Sequence, residues 1–234
     1  MAAANVAQQA QTLPTAATNE PARPGEADHT RDPIVRHEPD LAFLKRQLLA
    51  LIRVLMDKGI FTYPELLDVM HRYEAQTHAP GARVVARAWV DPAFKQRLLA
   101  NPKAACAELG IEISGYDELE VVENTDRRHY LIVCTTCSCT PAPLTGLTPD
   151  WYKSAAYRQR AIPQARAVLR EFGLELPADV EVRVIDTNTR RRCLVLPRRP
   201  AGTEGLDEEA LAALVTQESL FGVGEPRSIP ATMI

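Results

Sequence analysis

The chain has 234 residues, of which 46% are apolar and 24% charged, and its formal net charge is −3. This is the composition of a soluble globular protein with one large or two small domains. The weak negative charge gives no reason to expect nucleic acid or an anionic membrane surface as a partner. No apolar run approaches the ~20 residues of a membrane-spanning helix. The sequence shows no secretory signal and has only five cysteines, which favours the cytoplasm.

The first segment is rich in Ala, Thr, Gln, Glu and Pro and nearly lacks large apolar side chains. Such a segment buries too little surface to offset its ordering entropy, so residues 1–33 are predicted to form a disordered tail. A helix is then predicted from the cap Asp40 to Gly59, because apolar residues recur at helical spacing. These residues are Leu41, Leu44, Leu48, Leu51, Ile52 and Leu55.

Four further helices are predicted before Gly110, most of them marked by a capping residue followed by proline. Their starts lie at Thr62 to Pro64, at Pro80, at Asp91-Pro92 and at Asn101-Pro102. Residues 34–110 are therefore interpreted as a helical arm. The arm is too thin for a core of its own, so we expect it to pack on another chain.

Residues 111–225 change to a mixed pattern, and residues 226–234 are interpreted as a C-terminal tail. The predicted elements are strands at 118–124, 128–134, 180–187 and 192–197, and helices at about 150–157, at 161–172 and after Asp207. The last two strands are predicted to form a hairpin. The predicted fold class is α/β (α+β), in which an extended N-terminal helical arm precedes a layered C-terminal domain.

The segment "VCTTCSC", residues 133–139, places three of the five cysteines within six positions, directly after a predicted strand. A cytoplasmic location disfavours a disulfide. A structural zinc site normally has four side-chain ligands, but Cys134 and Cys137 form the one C-x-x-C pair, and neither His129 nor Cys193 has a suggestive spacing. A redox pair would not need Cys139. Zinc binding and redox chemistry both stay open on spacing alone.

The close spacing of the three cysteines also fits a metal site with both sulfur and backbone-nitrogen ligands. Three thiolates within six residues can surround one ion, and the backbone amides between Cys137 and Cys139 then also face it. Deprotonation of an amide nitrogen needs a strongly polarising centre, so trivalent cobalt or iron fits better than zinc. Three sulfurs and two nitrogens fill five octahedral positions and leave one for water or substrate.

This segment and its flanks resemble the α subunit of nitrile hydratases. The flanks are "ARVVARAWVDPAFKQRLL" upstream and "GLTPDWYKSAAYRQRA", "VLREFGLELPADVEVRV" and "LVLPRRPAGTEGLDEEALAALVT" downstream, so the resemblance covers about residues 80–222. It implies a lyase that hydrates a small nitrile to the amide at a low-spin Co(III) centre, with Fe(III) as the alternative. Thr135 matches the cobalt-type members.

The resemblance also implies roles for individual residues. Cys134 would stay a thiolate, Cys137 would become a sulfinic acid and Cys139 a sulfenic acid, and the backbone nitrogens of Ser138 and Cys139 would complete the metal ligands. Gln96 matches a glutamine near the metal pocket and is expected to be catalytic together with Cys137 and Cys139. Either the sulfenate oxygen or a water attacks the nitrile carbon. The expected partners are a β-type subunit of one or two chains, whose arginines pair with the oxidised sulfurs, and an activator protein that inserts the metal.

The segment after the cysteines departs from the family pattern. Thr140, Pro141 and Ala142 stand where the family usually has an aromatic residue, Pro and Trp. A buried aromatic side chain covers ~150–250 Å², so its loss enlarges the pocket. This predicts a bulkier nitrile, such as a heteroaromatic one.

A second departure is Arg190, where many nitrile hydratases have Glu. The local pattern is nearer to thiocyanate hydrolase, so the metal-binding subunit of that enzyme is the alternative function, and Arg190, Arg191 and Arg192 would attract the anion if they faced the pocket. A non-catalytic zinc-binding subunit is the second alternative. His129 is interpreted as a packing or hydrogen-bonding residue, and Cys106 and Cys193 as buried small apolar residues.

Overall fold

The structure is a computed structural model, which describes residues 28–34 and 42–229. The predicted cap Asp40, the neighbouring Leu41 and most of the two predicted tails lie outside these residues. Within them the chain forms eleven helices and four strands. The helices are α1 Ala42–Asp57, α2 Tyr63–Glu74, α3 Ala79–Val90, α4 Pro92–Ala100, α5 Pro102–Glu108, α6 Ala142–Thr145, α7 Asp150–Lys153, α8 Ala155–Arg160, α9 Ala165–Glu171, α10 Glu208–Leu214 and α11 Gln217–Phe221. The strands are β1 Glu118–Glu123, β2 Arg128–Val133, β3 Glu181–Asp186 and β4 Arg191–Leu196.

The predicted caps at four helix starts are confirmed. Thr62 and Glu65 form a reciprocal capping box at α2, in which the backbone N–H of Thr62 donates to the Glu65 carboxylate at 2.7 Å. Asp91, Asn101 and Asp207 each accept a backbone N–H in the first turn of α4, α5 and α10. These side chains satisfy amide groups that have no partner within the helix, which is why each helix begins where it does.

The strands form two parallel two-stranded sheets. β1 pairs with β4, and β2 pairs with β3 in a register that places Val133 opposite Asp186. The predicted hairpin of the last two strands is therefore wrong, because β3 and β4 belong to different sheets. Four consecutive residues of β4, Cys193–Leu196, are buried, which is typical of a parallel strand covered on both faces and not of a hairpin with one wet face.

Two hydrophobic clusters fill the interior. The first joins α3, α4 and α5 to β1 and β4 through side chains such as Val85, Leu98 and Leu194, all 0% exposed. The second surrounds β2 and contains the aromatic side chains of Trp151, Tyr152, Tyr157, Phe172 and Phe221, whose rings contact one another edge-on or tilted. Trp151 and Tyr157 lie 5.0 Å apart, centroid to centroid. This second cluster supports the end of β2, from which the cysteine segment emerges.

Helices α1 and α2 bury little of their apolar surface against the rest of the chain. Their exposed large apolar side chains, together with those of the intervening turn, are Leu48, Leu49, Leu51, Val54, Ile60, Tyr63, Val69, Met70 and Tyr73. Every residue of α2 is at least partly exposed. None of the helices in the described ranges has the length and apolar character needed to span a membrane.

Residues 28–34 lie against α8 and α9. The buried guanidinium of Arg160 pairs with the Glu171 carboxylate and donates to the carbonyl oxygen of Asp32 at 2.8 Å. The backbone N–H of His29 donates to Gln159 at 2.7 Å. Because Arg160 bridges both partners from a buried position, it fixes this short segment to the outer side of the second cluster.

Candidate metal centre

Three thiols meet in the loop that follows β2, which we call the metal loop (residues 134–139). The sulfur atoms of Cys134, Cys137 and Cys139 all lie within 4.8 Å of one another. In residues 28–34 and 42–229 this is the one group of three or more His, Cys, Asp or Glu side chains placed to hold a metal ion. All five cysteines lie in these ranges as free thiols, and Cys106 and Cys193 are buried as predicted.

Two of the sulfurs lie close enough to bind one ion. The Sγ atoms of Cys134 and Cys137 are 3.1 Å apart. Two sulfurs that each lie ~2.3 Å from one ion are about 3.3 Å apart at a ligand angle of 90° and about 3.8 Å apart at the tetrahedral angle. A small outward movement of these side chains would let both sulfurs contact the same ion.

The three cysteines differ in exposure, and the pKa values of Cys134 and Cys139 are shifted in opposite directions. Cys134 is 0% exposed, whereas Cys137 and Cys139 are partly exposed. Burial opposes the charge on Cys134, but hydrogen bonds from the backbone N–H of Cys139 and from the thiol and N–H of Cys137 outweigh it, and they lower the pKa of Cys134 to about 7. Burial, the hydrogen bond with Cys137 and the charge of Cys134 raise the pKa of Cys139 to about 12. The backbone N–H groups of Cys137 and Cys139 thus favour the thiolate form of Cys134.

The tip of the loop is held by Asp186 at the end of β3. The carboxylate accepts the backbone N–H of Thr135 at 3.0 Å and its hydroxyl at 2.7 Å. On the other side, Arg158 of α8 lies 3.5 Å from the carbonyl oxygen of Thr135. These contacts follow from the parallel register, because the carboxyl ends of β2 and β3 meet at one edge.

The far end of the loop is held from inside the fold. The carbonyl oxygen of Cys139 lies 3.1 Å from the hydroxyl of Thr187 and 3.3 Å from the hydroxyl of Tyr152. The next residue, Thr140, shares a hydrogen bond of 2.9 Å with Thr148. Sequence reasoning missed Thr187 and Tyr152 because a hairpin of β3 and β4 would not place residue 187 beside the loop. A parallel pairing of β2 with β3 was the signal that would have found Thr187.

The remaining predicted residues lie away from the sulfur cluster or serve packing. Gln96 is exposed on α4, a helix that packs into the first cluster, whereas the cysteines pack against the second. Its catalytic role therefore stays a prediction. His129 is 3% exposed and hydrogen-bonded on both ring nitrogens, to Asn124 at 3.2 Å and to the carbonyl oxygen of Gly222 at 2.7 Å. Its packing and hydrogen-bonding role is confirmed.

The three consecutive arginines are engaged with groups on the β1 side. Arg190 pairs with Asp117 at 2.6 Å, and Arg191 lies 3.7 Å from Glu120. The guanidinium of Arg192 lies over the ring of Tyr116, 5.2 Å from its centroid. Arg190 and Arg191 are thus paired with exposed carboxylates, and the positive charge of Arg192 also acts on the Cys139 thiol.

A cluster of three thiols in the loop after β2, anchored from the end of β3 and from the aromatic cluster, is the arrangement of a metal-binding protein. The family described as nitrile hydratase, alpha chain, matches residues 43–224. The low-molecular weight cobalt-containing nitrile hydratase subunit alpha of Rhodococcus rhodochrous is 48% identical over 178 residues, which span 76% of this chain and 86% of that protein. The chain therefore belongs to the nitrile hydratase alpha chain family.

Two further relatives extend the comparison. Thiocyanate hydrolase subunit gamma of Thiobacillus thioparus is 35% identical over 211 residues, 83% of this chain and 84% of that one. The structure of a histidine double mutant of the Fe-type nitrile hydratase from Comamonas testosteroni Ni1 matches with a TM-score of 0.77 and 39% identity, over 82% of this chain and 97% of that one. The predicted fold class and the metal-binding cysteine loop are confirmed.

Proposed function

We propose that this chain is the metal-binding catalytic α subunit of a nitrile hydratase, which hydrates a nitrile to the amide at a cobalt(III) centre. The observation that carries the proposal is the cluster of three sulfurs within 4.8 Å in a loop fixed at both ends. Cobalt is favoured over iron because the Rhodococcus rhodochrous relative, which is 48% identical, is a cobalt-containing enzyme, while the Fe-type structural neighbour keeps iron as the alternative.

The residues that would hold the ion are the thiols of Cys134, Cys137 and Cys139 and the backbone nitrogens of Ser138 and Cys139. The proximity of the three sulfurs in one short loop supports the thiol part of this set. When bound, a trivalent ion supplies Lewis acidity towards a nitrile nitrogen or a water. Cys137 and Cys139, which are partly exposed, are the proposed sites of oxidation to sulfinic and sulfenic acid, whereas the fully buried Cys134 stays a thiolate.

The chain's own residues do three things for this chemistry. Asp186 orients the tip of the loop through Thr135, and the buried β2 fixes Cys134, so the donor atoms are in place before an ion arrives. Cys137 and Cys139 form the accessible side of the cluster, where a nitrile would approach. Oxygen atoms on the Cys139 sulfur would accept a proton from water or attack the nitrile carbon.

The proposed partner is a β-type subunit that covers α1 and α2. Nine large apolar side chains of these helices and of the turn between them are 45–67% exposed, and a partner chain would cover them. Oxidised sulfurs on Cys137 and Cys139 would also need hydrogen-bond donors from outside the loop, which arginines of the partner would supply. An activator protein that delivers the metal is proposed as a second partner. The division into a helical arm over 34–110 and a catalytic domain over 111–225, and a cytoplasmic location, belong to the same proposal.

The proposed substrate is a bulky nitrile, such as a heteroaromatic one. Thr140 is 9% exposed and hydrogen-bonded to Thr148, and its side chain is much smaller than the aromatic ring that usually stands there in the family. Ala142, the first residue of α6, is partly exposed and small. Comparing the turnover of acrylonitrile with that of a heteroaromatic nitrile tests this substrate class, and a clear preference for acrylonitrile would contradict it.

A second candidate function is the metal-binding subunit of a thiocyanate hydrolase. The similarity to subunit gamma of that enzyme and the presence of Arg190 favour it. Thiocyanate hydrolysis by the assembled enzyme, without nitrile hydration, would establish this alternative.

The decisive experiment is metal analysis of the chain co-purified with its partner, joined to a screen of nitriles and thiocyanate. One cobalt per chain, with a mass gain from oxygen atoms on the peptide that contains residues 134–139, is expected together with amide formation. One zinc with unmodified thiols would instead identify a non-catalytic zinc-binding subunit and would refute the proposal.

A further inference from the structure

We infer that Thr187 and Tyr152 are positioning residues of the metal loop, which hold the carbonyl of Cys139 beside the carbonyl that precedes the loop. The inference deepens the proposed function and rests on it only in the step from loop geometry to metal binding. Neither side chain is a donor to the ion, so both would act through Cys139.

Thr187 joins the two ends of the loop. Its backbone N–H donates to the carbonyl oxygen of Val133, the residue before the loop, at 2.8 Å. Its hydroxyl lies 3.1 Å from the carbonyl oxygen of Cys139 and 3.2 Å from that of Val133. Because the N–H already serves Val133, the hydroxyl proton is available to Cys139. The side chain is 3% exposed, so water does not compete for this contact.

Tyr152 reaches the same carbonyl from the aromatic cluster. Its hydroxyl lies 3.3 Å from the oxygen of Cys139, and its ring is fully buried. The ring is enclosed by Phe221, 4.9 Å away between centroids, and by Trp151 at 5.7 Å. A ring packed in this way has little freedom to turn, so its hydroxyl is a fixed donor.

The two contacts matter because the other donors have separate anchors. Cys134 continues a buried strand, and Thr135 is held by Asp186. At the far end, the carbonyl of Cys139 is held by Thr187 and Tyr152, and the side chain of Thr140 anchors the residue beyond it. The position of the Cys139 sulfur follows from the orientation of its own backbone. Metal donors must be held within about 0.5 Å, so loss of these contacts would misplace the third sulfur.

Variants that remove single hydroxyl groups test the inference. Thr187→Val and Tyr152→Phe keep the side-chain shape and remove one donor each, while Thr187→Ser retains the hydroxyl. Tyr157→Phe is the matched control, because its hydroxyl donates to the carbonyl oxygen of Ile132 at 2.6 Å within the same aromatic cluster but does not contact the loop. If the effect came only from removing a buried tyrosine hydroxyl, Tyr152→Phe and Tyr157→Phe would therefore change the loop to the same extent.

The first readout is amide hydrogen exchange of the full-length chain without added metal. We expect exchange in the peptide that covers residues 134–140 to be about tenfold faster in Thr187→Val and Tyr152→Phe, since each hydroxyl contributes one buried hydrogen bond. Thr187→Ser and Tyr157→Phe should exchange like the wild type in this peptide. Equal exchange in all variants, or equal acceleration in the Tyr157→Phe control, would overturn the inference.

The second readout uses the chain assembled with its partner in cobalt-containing medium. Thr187→Val and Tyr152→Phe are expected to retain less cobalt and to show a shifted sulfur-to-cobalt absorption band, while both controls match the wild type. Wild-type-like cobalt content and absorption in the two variants would contradict a role in positioning the donors. A wild type that binds no cobalt would refute the proposed function, and the exchange experiment would still decide the role of the two hydroxyls.

Discussion

Replacement of Asp186 by Ala removes both hydrogen bonds that hold the tip of the metal loop. The carboxylate accepts from the N–H and the hydroxyl of Thr135 at 3.0 and 2.7 Å. Two hydrogen bonds to a charged acceptor would contribute about 3–6 kcal/mol if they were dry. Asp186 is exposed, so water replaces much of this, and we expect a loss of about 1–2 kcal/mol in the free energy of unfolding. The retention of cobalt should fall with it.

The matched variants separate the charge from the contacts. Asp186→Asn keeps one oxygen that accepts the N–H of Thr135, and its NH2 group can donate to the Thr135 hydroxyl. This variant should therefore lose about half as much stability as Asp186→Ala. Asp126→Ala is the control, because Asp126 lies in a turn away from the metal loop and its exposed carboxylate pairs with Arg198. Urea unfolding of the full-length chain gives the free energies, and dialysis of the assembled enzyme gives cobalt retention. If Asp186→Ala unfolds and retains cobalt like the wild type, the loop tip does not depend on this carboxylate.

Three further changes test other parts of the structure. Gly222→Ala should lower the free energy of unfolding in urea by about 3–5 kcal/mol, because Gly222 has a φ of 77° and a Cβ there would overlap the carbonyl oxygen of Tyr130. Gly173→Ala is the control, since Gly173 also has a positive φ but lies in open space, and it should cost only about 1 kcal/mol. Equal costs for the two variants would contradict this. Burial lowers the pKa of His129, so the unfolded chain takes up a proton near pH 6.5 while the folded chain does not. The free energy of unfolding should therefore decrease as the pH falls below 6.5, by at most about 1.4 kcal/mol per pH unit. His129→Gln should flatten this slope between pH 7.5 and 5.5. Ala142→Trp should raise the kcat/KM ratio of acrylonitrile over a heteroaromatic nitrile about tenfold, and an unchanged ratio would show that residue 142 does not face the substrate.

The helix starts and the metal loop could be predicted from the sequence because both depend on neighbouring residues. Asp91 and Asn101 cap helices within three residues of themselves, and the three thiols lie within six positions. Breaks in helices were harder to predict. The helix expected at 150–157 is two helices, since the hydroxyl of Ser154 accepts the N–H of Tyr157 at 3.1 Å and starts α8 there. A serine within an apolar pattern was the available signal.

The pairing of the strands could not be predicted in the same way, because it depends on contacts between distant residues. Short turns separate β1 from β2 and β3 from β4, which is the spacing of hairpins, yet each turn carries the chain from one sheet to the other. The buried run at Cys193–Leu196 favoured a parallel strand over a hairpin. With the pairing wrong, the contacts of Asp186 and Thr187 with the loop could not be foreseen, since they bridge 51 and 48 residues.

The division of the site between chains follows from where the loop is held. The anchors formed by Asp186, Thr187 and Tyr152 all act on backbone or hydroxyl groups of the loop, and they come from this chain. Cys137 and Cys139 are partly exposed, whereas Cys134 is buried. A chain that fixes its donors from within but leaves the reacting side open can hold an ion without specifying the substrate. Under the proposed function, substrate choice would then depend on residues near the cysteines, such as Ala142, and on the surface of the proposed β-type partner.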